Sequence, residues 1–321
     1  MTRSTDNLDG LRCTVLGGGG FMGSNLCLAL AGRGARVQAF SRSRVAESIR
    51  EHVAWMTGLF EDTSAVARAI EGNDVVFHLI GASTPASSNK DPISDLSTNC
   101  INTLKMLDIC RASGVKRIIF ASSGGTVYGI PQSVPLCEDH PTQPISAYGV
   151  CKLAIEKYLS LYKHLYNLDY TILRIANPYG QYQVPIKKQG VIAAMLINAL
   201  KGAPLELWGT GDVVRDFVHI DDVVEAFIAS IFYTGPVRIF NVGSGVGRSI
   251  DLVATTIEHM FPNAGLGRVY REGRITDVPT NVLDIGLIKR EMDWFPKIEW
   301  QEGLIDTARW LRNYLAAEQA V

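Results

Sequence analysis

Residues 12–16, RCTVL, run directly into Gly17-Gly18-Gly19-Gly20-Phe21-Met22-Gly23 and then into SNLCLALAGRG. A β-branched run, a glycine-packed turn and an apolar segment of helical spacing follow one another without a spacer. The order predicts a strand, a tight turn and a helix. No other feature of the chain constrains its fold as strongly, because a strand that feeds a helix at once must cross over to a parallel neighbour, and such crossovers are right-handed. Further short runs recur at ARVQAF, VAWM, DVVFHL, KRIIFAS and DYTILRI, most of them separated by segments with helical spacing.

The expected architecture is α/β: a Rossmann-type doubly wound parallel sheet with helices on both faces and a ligand crevice at the carboxyl ends of its strands. A length of 321 residues accommodates about two domains. Beyond Asn177 the texture changes to loops rich in Pro, Gly and Tyr (NPYGQYQVPIKKQG, KGAPLELWGTGD), with one later apolar run, VRIFNVG. We expect a dinucleotide-binding domain over residues 1–177, with 218–243 returning to it. The remainder, 178–217 and 244–321, is expected to form a smaller C-terminal substrate-binding lobe with a fraying helical tail.

Lys and Arg total 31 against 32 for Asp and Glu, so no overall basic field favours nucleic acid or an anionic membrane surface. The six cysteines form no Cys-x-x-Cys pair and do not cluster with the six histidines, which indicates neither a metal site nor a disulfide framework. MTRSTDNLDG lacks the apolar core of a signal peptide, and no apolar run approaches the length of a membrane span. A cytoplasmic protein with reduced thiols is the expectation.

In the turn, Gly17 permits the tight bend, Gly20 lets the backbone approach a pyrophosphate, and Gly23 lets the helix sit close to the strand. Helix N-terminal amides, with Phe21 and Met22 at their start, then face anionic phosphates. An acidic residue commonly ends the second strand to hold the ribose hydroxyls. Here that strand ends Phe40-Ser41-Arg42-Ser43-Arg44, which lacks the carboxylate and offers a guanidinium for a 2′-phosphate. NADP(H) is therefore expected over NAD(H), the alternative being that both arginines are solvated surface charges.

Tyr148 and Lys152 form the only Tyr-x-x-x-Lys in the chain, inside ISAYGVCKLAIEKYL, whose spacing is helical. Four residues apart on a helix, they share one face. A phenol of pKa about 10 is a poor base, but a neighbouring ammonium and a cationic nicotinamide ring both favour the phenolate. Just after the fifth strand run lies Ser122-Ser123-Gly124-Gly125-Thr126-Val127-Tyr128-Gly129, where Ser123 or Thr126 offers a hydroxyl to a substrate oxygen.

Taken together, GGGGFMGSNL, FHLIGAS, SSGGTVYG, YGVCK, LRIANPYG, GTGDVVRDFVHIDDV, FNVGSG and RITDVPTNVLDI stand in an order that resembles the extended short-chain dehydrogenases/reductases. The chain is most similar to their NAD-dependent epimerase/dehydratase family and, within it, to nucleotide-sugar 4-epimerases of the UDP-glucose 4-epimerase kind. The resemblance implies that Tyr148 and Lys152 are the base and its lysine, and that Asn99 is the structural asparagine of the active site. It places Leu79, Ile80 and Gly81 beside the cofactor with Ser41, Arg42, Leu59 and Ser122. It implies that Asn177, Arg215 and Arg274 contact a nucleotide-diphosphate sugar, and that the protein is a homodimer through helices around 95–112 and 147–166. Three positions depart from the family. Gly124 replaces its catalytic Ser or Thr, which leaves Thr126, the favoured substitute, or Ser123; Gly58-Leu59-Phe60 replaces an aspartate near the adenine; and Leu16 replaces a Thr. A gate residue that is a bulky aromatic in some relatives aligns near Asn281.

The implied reaction is 4-epimerisation through a transient 4-keto sugar. An NADPH-dependent 4-keto-sugar reductase would use the same residues. A 4,6-dehydratase is disfavoured because Asp-Glu does not follow the threonine position, and a non-catalytic dinucleotide sensor is disfavoured because Tyr148 and Lys152 are both present.

Overall fold

A computed structural model describes residues 7–42, 47–81, 83–184, 190–273 and 278–319. Six strands come first, in the order the hydrophobic runs anticipate: β1 (Arg12–Leu16), β2 (Arg36–Ser41), β3 (Ala54–Thr57), β4 (Val75–His78), β5 (Arg117–Ser123) and β6 (Asp169–Ile175). The chain then leaves for β7 (Asn177–Tyr179), β8 (Leu205–Trp208) and β9 (Val214–His219), and returns for β10 (Ile239–Val242). β11 (Gly247–Ser249), β12 (Arg268–Arg271) and β13 (Thr280–Asn281) complete the strands.

The main sheet has seven strands in the order β10-β6-β5-β4-β1-β2-β3, and all its pairings are parallel. Strand order reverses between β1 and β4. At that switch point crossovers leave on opposite faces, and a crevice opens above the strand ends.

Alternation along the strands divides the core between the two faces. Cys13, Val15, Ile119, Ala121, Leu173 and Ile175 pack with helices Phe21–Gly32 and Ile220–Phe232. Leu16, Ile118, Phe120, Tyr170 and Ile172 pack with helices Thr63–Ile70, Asn102–Ala112 and Ala147–Tyr166. Period-two alternation sends neighbouring side chains to opposite faces, so both faces of such a sheet must be covered by helices.

The smaller sheet joins β11, β9 and β13, with β7 pairing β9, and β8 pairs β12 separately. Its apolar core lies among helices Val191–Leu200, Ile250–Met260 and Trp300–Gln319. Asp216, fully buried on β9, ties the lobe together: Oδ1 accepts from the Ser244 amide and hydroxyl at 2.7 Å each, and Oδ2 from the Gly245 and Leu283 amides at 3.1 and 3.3 Å. Among the described residues no helix is long and apolar enough to cross a membrane.

Candidate functional site

The glycine turn closes on three neighbours. Gly17 has φ +92°, and a Cβ there would come within 3.2 Å of the Leu79–Ile80 peptide. Gly17 and Gly18 amides donate to the Phe40 carbonyl at 2.8 and 3.1 Å, so the ends of β1 and β2 meet. A Cβ on Gly23 would lie 2.1 Å from the Gly17 carbonyl oxygen. No side chain fits at that position, and the helix therefore starts directly against the turn. Gly20 is its N-cap, with no side-chain cap and no acidic residue in the first turn. Unsatisfied N-terminal amides without a competing carboxylate are what an anionic phosphate requires, so the turn fits a dinucleotide.

Around that turn, Phe21 and Met22 are half-buried at the helix start, Leu79 donates its amide to Leu16 O at 2.9 Å, and Ile80 and Gly81 follow at the open end of β4. Gly58 donates to the Ser41 carbonyl at 3.0 Å, which sets the exposed Leu59 beside the end of β2. Arg42 is exposed there. Arg44 and Arg274 lie outside the described residues.

Tyr148 and Lys152 sit in the first two turns of helix Ala147–Tyr166, which Ser146 caps through the Gly149 amide at 3.2 Å. The Tyr148 amide donates to Ser88 Oγ at 3.0 Å, fixing the residue against the segment after β4. Lys152 is buried, its Nζ donating to Ala121 O at 2.8 Å and lying 4.6 Å from the Phe120 ring centroid and 5.7 Å from that of Tyr148. Burial lowers the Lys152 pKa to about 8, against the opposing pull of Glu156 and Asp95. Burial likewise pushes the Tyr148 phenol up to about 12, and the Asp95 carboxylate adds to the rise, while a hydrogen bond with Ser123 favours the phenolate. Of the two hydroxyls offered by the sequence, Ser123 meets Tyr148. Thr126 Oγ1 is buried and has no hydrogen-bond partner among the described residues.

The loop from Ser122 to Gly129 is held from behind. Ser122 Oγ donates to Glu156 Oε1 at 2.5 Å, and Glu156 pairs with Arg174 at 2.7 Å, both side chains buried. Arg174 also donates to Tyr128 Oη at 3.0 Å, and Tyr128 to Asn241 Oδ1 at 2.7 Å. Breaking a buried pair of this kind by removing one partner strands a charge, at a cost of about 3–5 kcal/mol. Gly124 has a steric explanation: its missing Cβ would lie 2.6 Å from Leu283 Cδ1 and 3.0 Å from Arg174 O. Asn281, which aligned with the gate, is buried and donates to Gly124 O at 3.0 Å, so it braces the loop.

Asn99 is buried in a π-helical turn, Leu96–Ile101, an irregularity that the spacing of the sequence did not reveal and that recurs at functional sites. Its Nδ2 donates to Asp95 Oδ1 at 2.9 Å, and its carbonyl accepts from Thr103 Oγ1 at 2.6 Å. Asp95 was missed by the sequence reading; its signal was the spacing of four that puts it on the face of Asn99. Across the crevice, Asn177 Nδ2 donates to Asp216 O at 3.0 Å, and Arg215 Nη1 donates to Val214 O and Val278 O at 2.9 and 2.6 Å. β7 and β9 thus bring Asn177 and Arg215 into one small sheet.

The profile of the NAD dependent epimerase/dehydratase family matches residues 13–243. The chain is 32% identical to a UDP-glucose 4-epimerase of Mycolicibacterium smegmatis, over 94% of this chain and 99% of that one. It is 30% identical to a dTDP-4-dehydro-6-deoxyglucose reductase of Escherichia coli, over 90% and 94%. Among solved structures, the UDP-glucose 4-epimerase of Thermotoga maritima with UDP-glucose superposes at a TM-score of 0.91 and 32% identity, covering 95% of this chain and all of that one. The Thermus thermophilus UDP-glucose 4-epimerase in complex with NAD superposes at 0.86 and 31% identity, over 94% and 99%.

Proposed function

This chain belongs to the NAD dependent epimerase/dehydratase family, an enzyme family that works with a nicotinamide dinucleotide, and we propose that it is a nucleotide-sugar 4-epimerase. The observation that carries the proposal is the convergence of Tyr148, Lys152 and Ser123 at the carboxyl end of the sheet, beside the glycine cradle. Residues 1–177 and 218–243 hold the dinucleotide through Gly17, Gly20, Phe21, Met22 and Gly23, with Ser41, Arg42, Leu59, Leu79, Ile80, Gly81, Asn99 and Ser122 around them. Residues 178–217 and 244–321 hold the nucleotide-diphosphate sugar, with Asn177, Arg215 and Arg274 as its contacts.

When bound, the nicotinamide supplies reversible hydride exchange at C4. Tyr148 removes the O4 proton and later returns it. Lys152, positively charged below about pH 8, stabilises the phenolate that accepts this proton. Ser123 donates to the phenolate and to the sugar oxygen in turn. We assign it this part in preference to Thr126, because Ser123 and not Thr126 meets the phenol.

A second reading, an NADPH-dependent 4-keto-sugar reductase, is supported by Arg42 at the end of β2 and by the E. coli reductase relative. For the same reason we propose NADP(H) over NAD(H); the Thermus relative complexed with NAD weighs the other way. Denaturing the purified protein and assaying the supernatant separates the readings. Retained dinucleotide, with UDP-glucose and UDP-galactose interconverting, fits the epimerase; an empty site with NADPH consumed on a 4-keto sugar fits the reductase. Arg42→Ala should weaken NADP(H) about tenfold more than NAD(H), the loss of one charge-assisted contact, and equal losses would remove the 2′-phosphate role.

We also propose a cytoplasmic homodimer. Val150, Tyr158, Leu161 and Leu165 form an exposed stripe on helix Ala147–Tyr166, and Ile101 is exposed on the segment Leu96–Ile101 that packs against that helix, the kind of patch that marks an association surface. Light scattering on the purified protein tests it.

A further inference from the structure

His78 closes β4, the strand whose continuation, Leu79–Ile80, walls the glycine turn. It is buried, and its ring packs against those of Phe60 and Phe120 at centroid distances of 5.4 and 5.3 Å. The Phe120 ring is also the one that Lys152 Nζ approaches to 4.6 Å. His78 Nε2 stands 2.8 Å from Thr103 Oγ1, whereas Nδ1 has no hydrogen-bond partner among the described residues.

The next bond along assigns the proton. Thr103 Oγ1 lies 2.6 Å from the Asn99 carbonyl oxygen, and only the hydroxyl can supply the hydrogen between them. A threonine hydroxyl has a single proton to donate, so toward His78 it can only accept. The imidazole is therefore the neutral tautomer with its proton on Nε2 and a bare Nδ1. Burial first and the Lys152 charge second hold the His78 pKa down at about 3, far below the value of about 8 at which Lys152 titrates.

We propose that His78 is a positioning residue: Nε2–H to Thr103 Oγ1, and Thr103 Oγ1–H to Asn99 O, form one directed chain that anchors the π-helical turn Leu96–Ile101 to the end of β4. The inference rests on the 4-epimerase reading, in which this turn serves the reaction residues. Its reach comes through Asp95. Asn99 Nδ2 holds Asp95 Oδ1 at 2.9 Å, and the Asp95 carboxylate opposes the burial that lowers Lys152. The other titratable groups that face Lys152 are Glu156, Cys151 and Tyr148 on its own helix and His78 itself. A turn freed from β4 lets Asp95 drift, and Lys152 then gives up its proton at lower pH.

The test uses the dinucleotide-loaded enzyme with UDP-glucose and UDP-galactose. His78→Leu removes the donor and should lower kcat about ten- to a hundredfold, the effect of a small misplacement transmitted to the reacting groups, with KM little changed. The falling limb of kcat/KM should move to lower pH. His78→Gln brings an amide N–H to the reach of Nε2 and should restore most of kcat and the position of that limb. Thr103→Val keeps the shape and breaks the same chain, so the His78→Leu/Thr103→Val double variant should be no slower than the slower single variant. Thermal unfolding checks that each variant folds. Equal losses in His78→Leu and His78→Gln overturn the proposal, as do single losses that multiply in the double variant or a falling limb that stays in place, since a purely structural role would give these results. Should His78→Leu fail to fold, the wild type itself decides: with ¹⁵N-labelled histidine, and the signal assigned by its absence from His78→Gln, the ring must be neutral with its proton on Nε2 at neutral pH. A proton on Nδ1 overturns the proposal. A wild type that turns over neither sugar overturns the epimerase reading and this inference with it, whereas an active wild type with any contrary result above overturns the inference alone.

Discussion

The glycine turn after β1 and the loop after β5 stand at the same end of one sheet and work by opposite means. The turn presents backbone, and its shape is enforced by side chains that are absent: Gly23 has no room for a Cβ, and Gly17 needs its positive φ. The loop presents a side chain, Ser123, and is shaped by those behind it, Glu156, Arg174, Tyr128 and Leu283. A backbone site cannot trade one residue for another, whereas a side-chain site can pass a role to a neighbouring hydroxyl provided the packing beneath is kept. Gly124 illustrates the second case, because the space that a family hydroxyl would occupy is filled by Leu283.

The largest effect belongs to the side-chain site. Tyr148→Phe should lower kcat by about 10²–10⁴-fold with little change in KM, the range for loss of a positioned proton-transfer group; a drop smaller than tenfold in steady-state assays would mean that another group moves the proton. In the backbone site, Gly23→Ala forces a methyl against a carbonyl oxygen 2.1 Å away. Overpacking of this kind costs about 1–3 kcal/mol, so the variant should unfold at lower temperature and purify without dinucleotide, while an alanine accommodated with full dinucleotide content would undo the argument from the missing Cβ.

Gly124→Ser restores the family hydroxyl and should be the milder change. Leu283 Cδ1 can move, but Arg174 O cannot, and we expect a loss of about 1 kcal/mol with no gain in turnover, partly relieved by Leu283→Ala. A Gly124→Ser enzyme that is both stable and faster would show that position 124, not Ser123, sets the hydroxyl.

The smallest effect is on pH dependence. Lys152 keeps its charge below about pH 8 and loses it above, so kcat/KM should fall as pH rises through that value. Glu156 holds the proton on Lys152, hence Glu156→Gln should move the falling limb to lower pH, and a shift to higher pH would contradict the coupling.

Legibility from sequence follows the same division. β1, β4, β5 and β6 were readable because parallel strands buried on both faces must be continuous apolar runs, and the turn because only glycine satisfies it. That Tyr148 and Lys152 share a face was readable from helical spacing, whereas the role proposed for them came from the neighbouring Ser122–Gly129 run and the family resemblance. What escaped depends on partners distant in the chain. The β7–β9–β13 pairings involve strands as short as two residues, too short to show a period. The π-helical turn at Asn99 leaves no compositional mark, and Asp95 acquires its meaning only when Ser83 and Asn99 fold onto it. Nor could a sequence reveal that Arg215 spends part of its guanidinium on the carbonyls of Val214 and Val278.

The return of the chain to pair β10 with β6 has an evolutionary corollary. The smaller lobe is an insertion with a tail, entered after β6 and re-entered after β10, and cannot be exchanged by a single recombination event. Swapping specificity by grafting a foreign lobe would need two compatible splice points, and a truncation after β7 would strip the sheet of an edge strand.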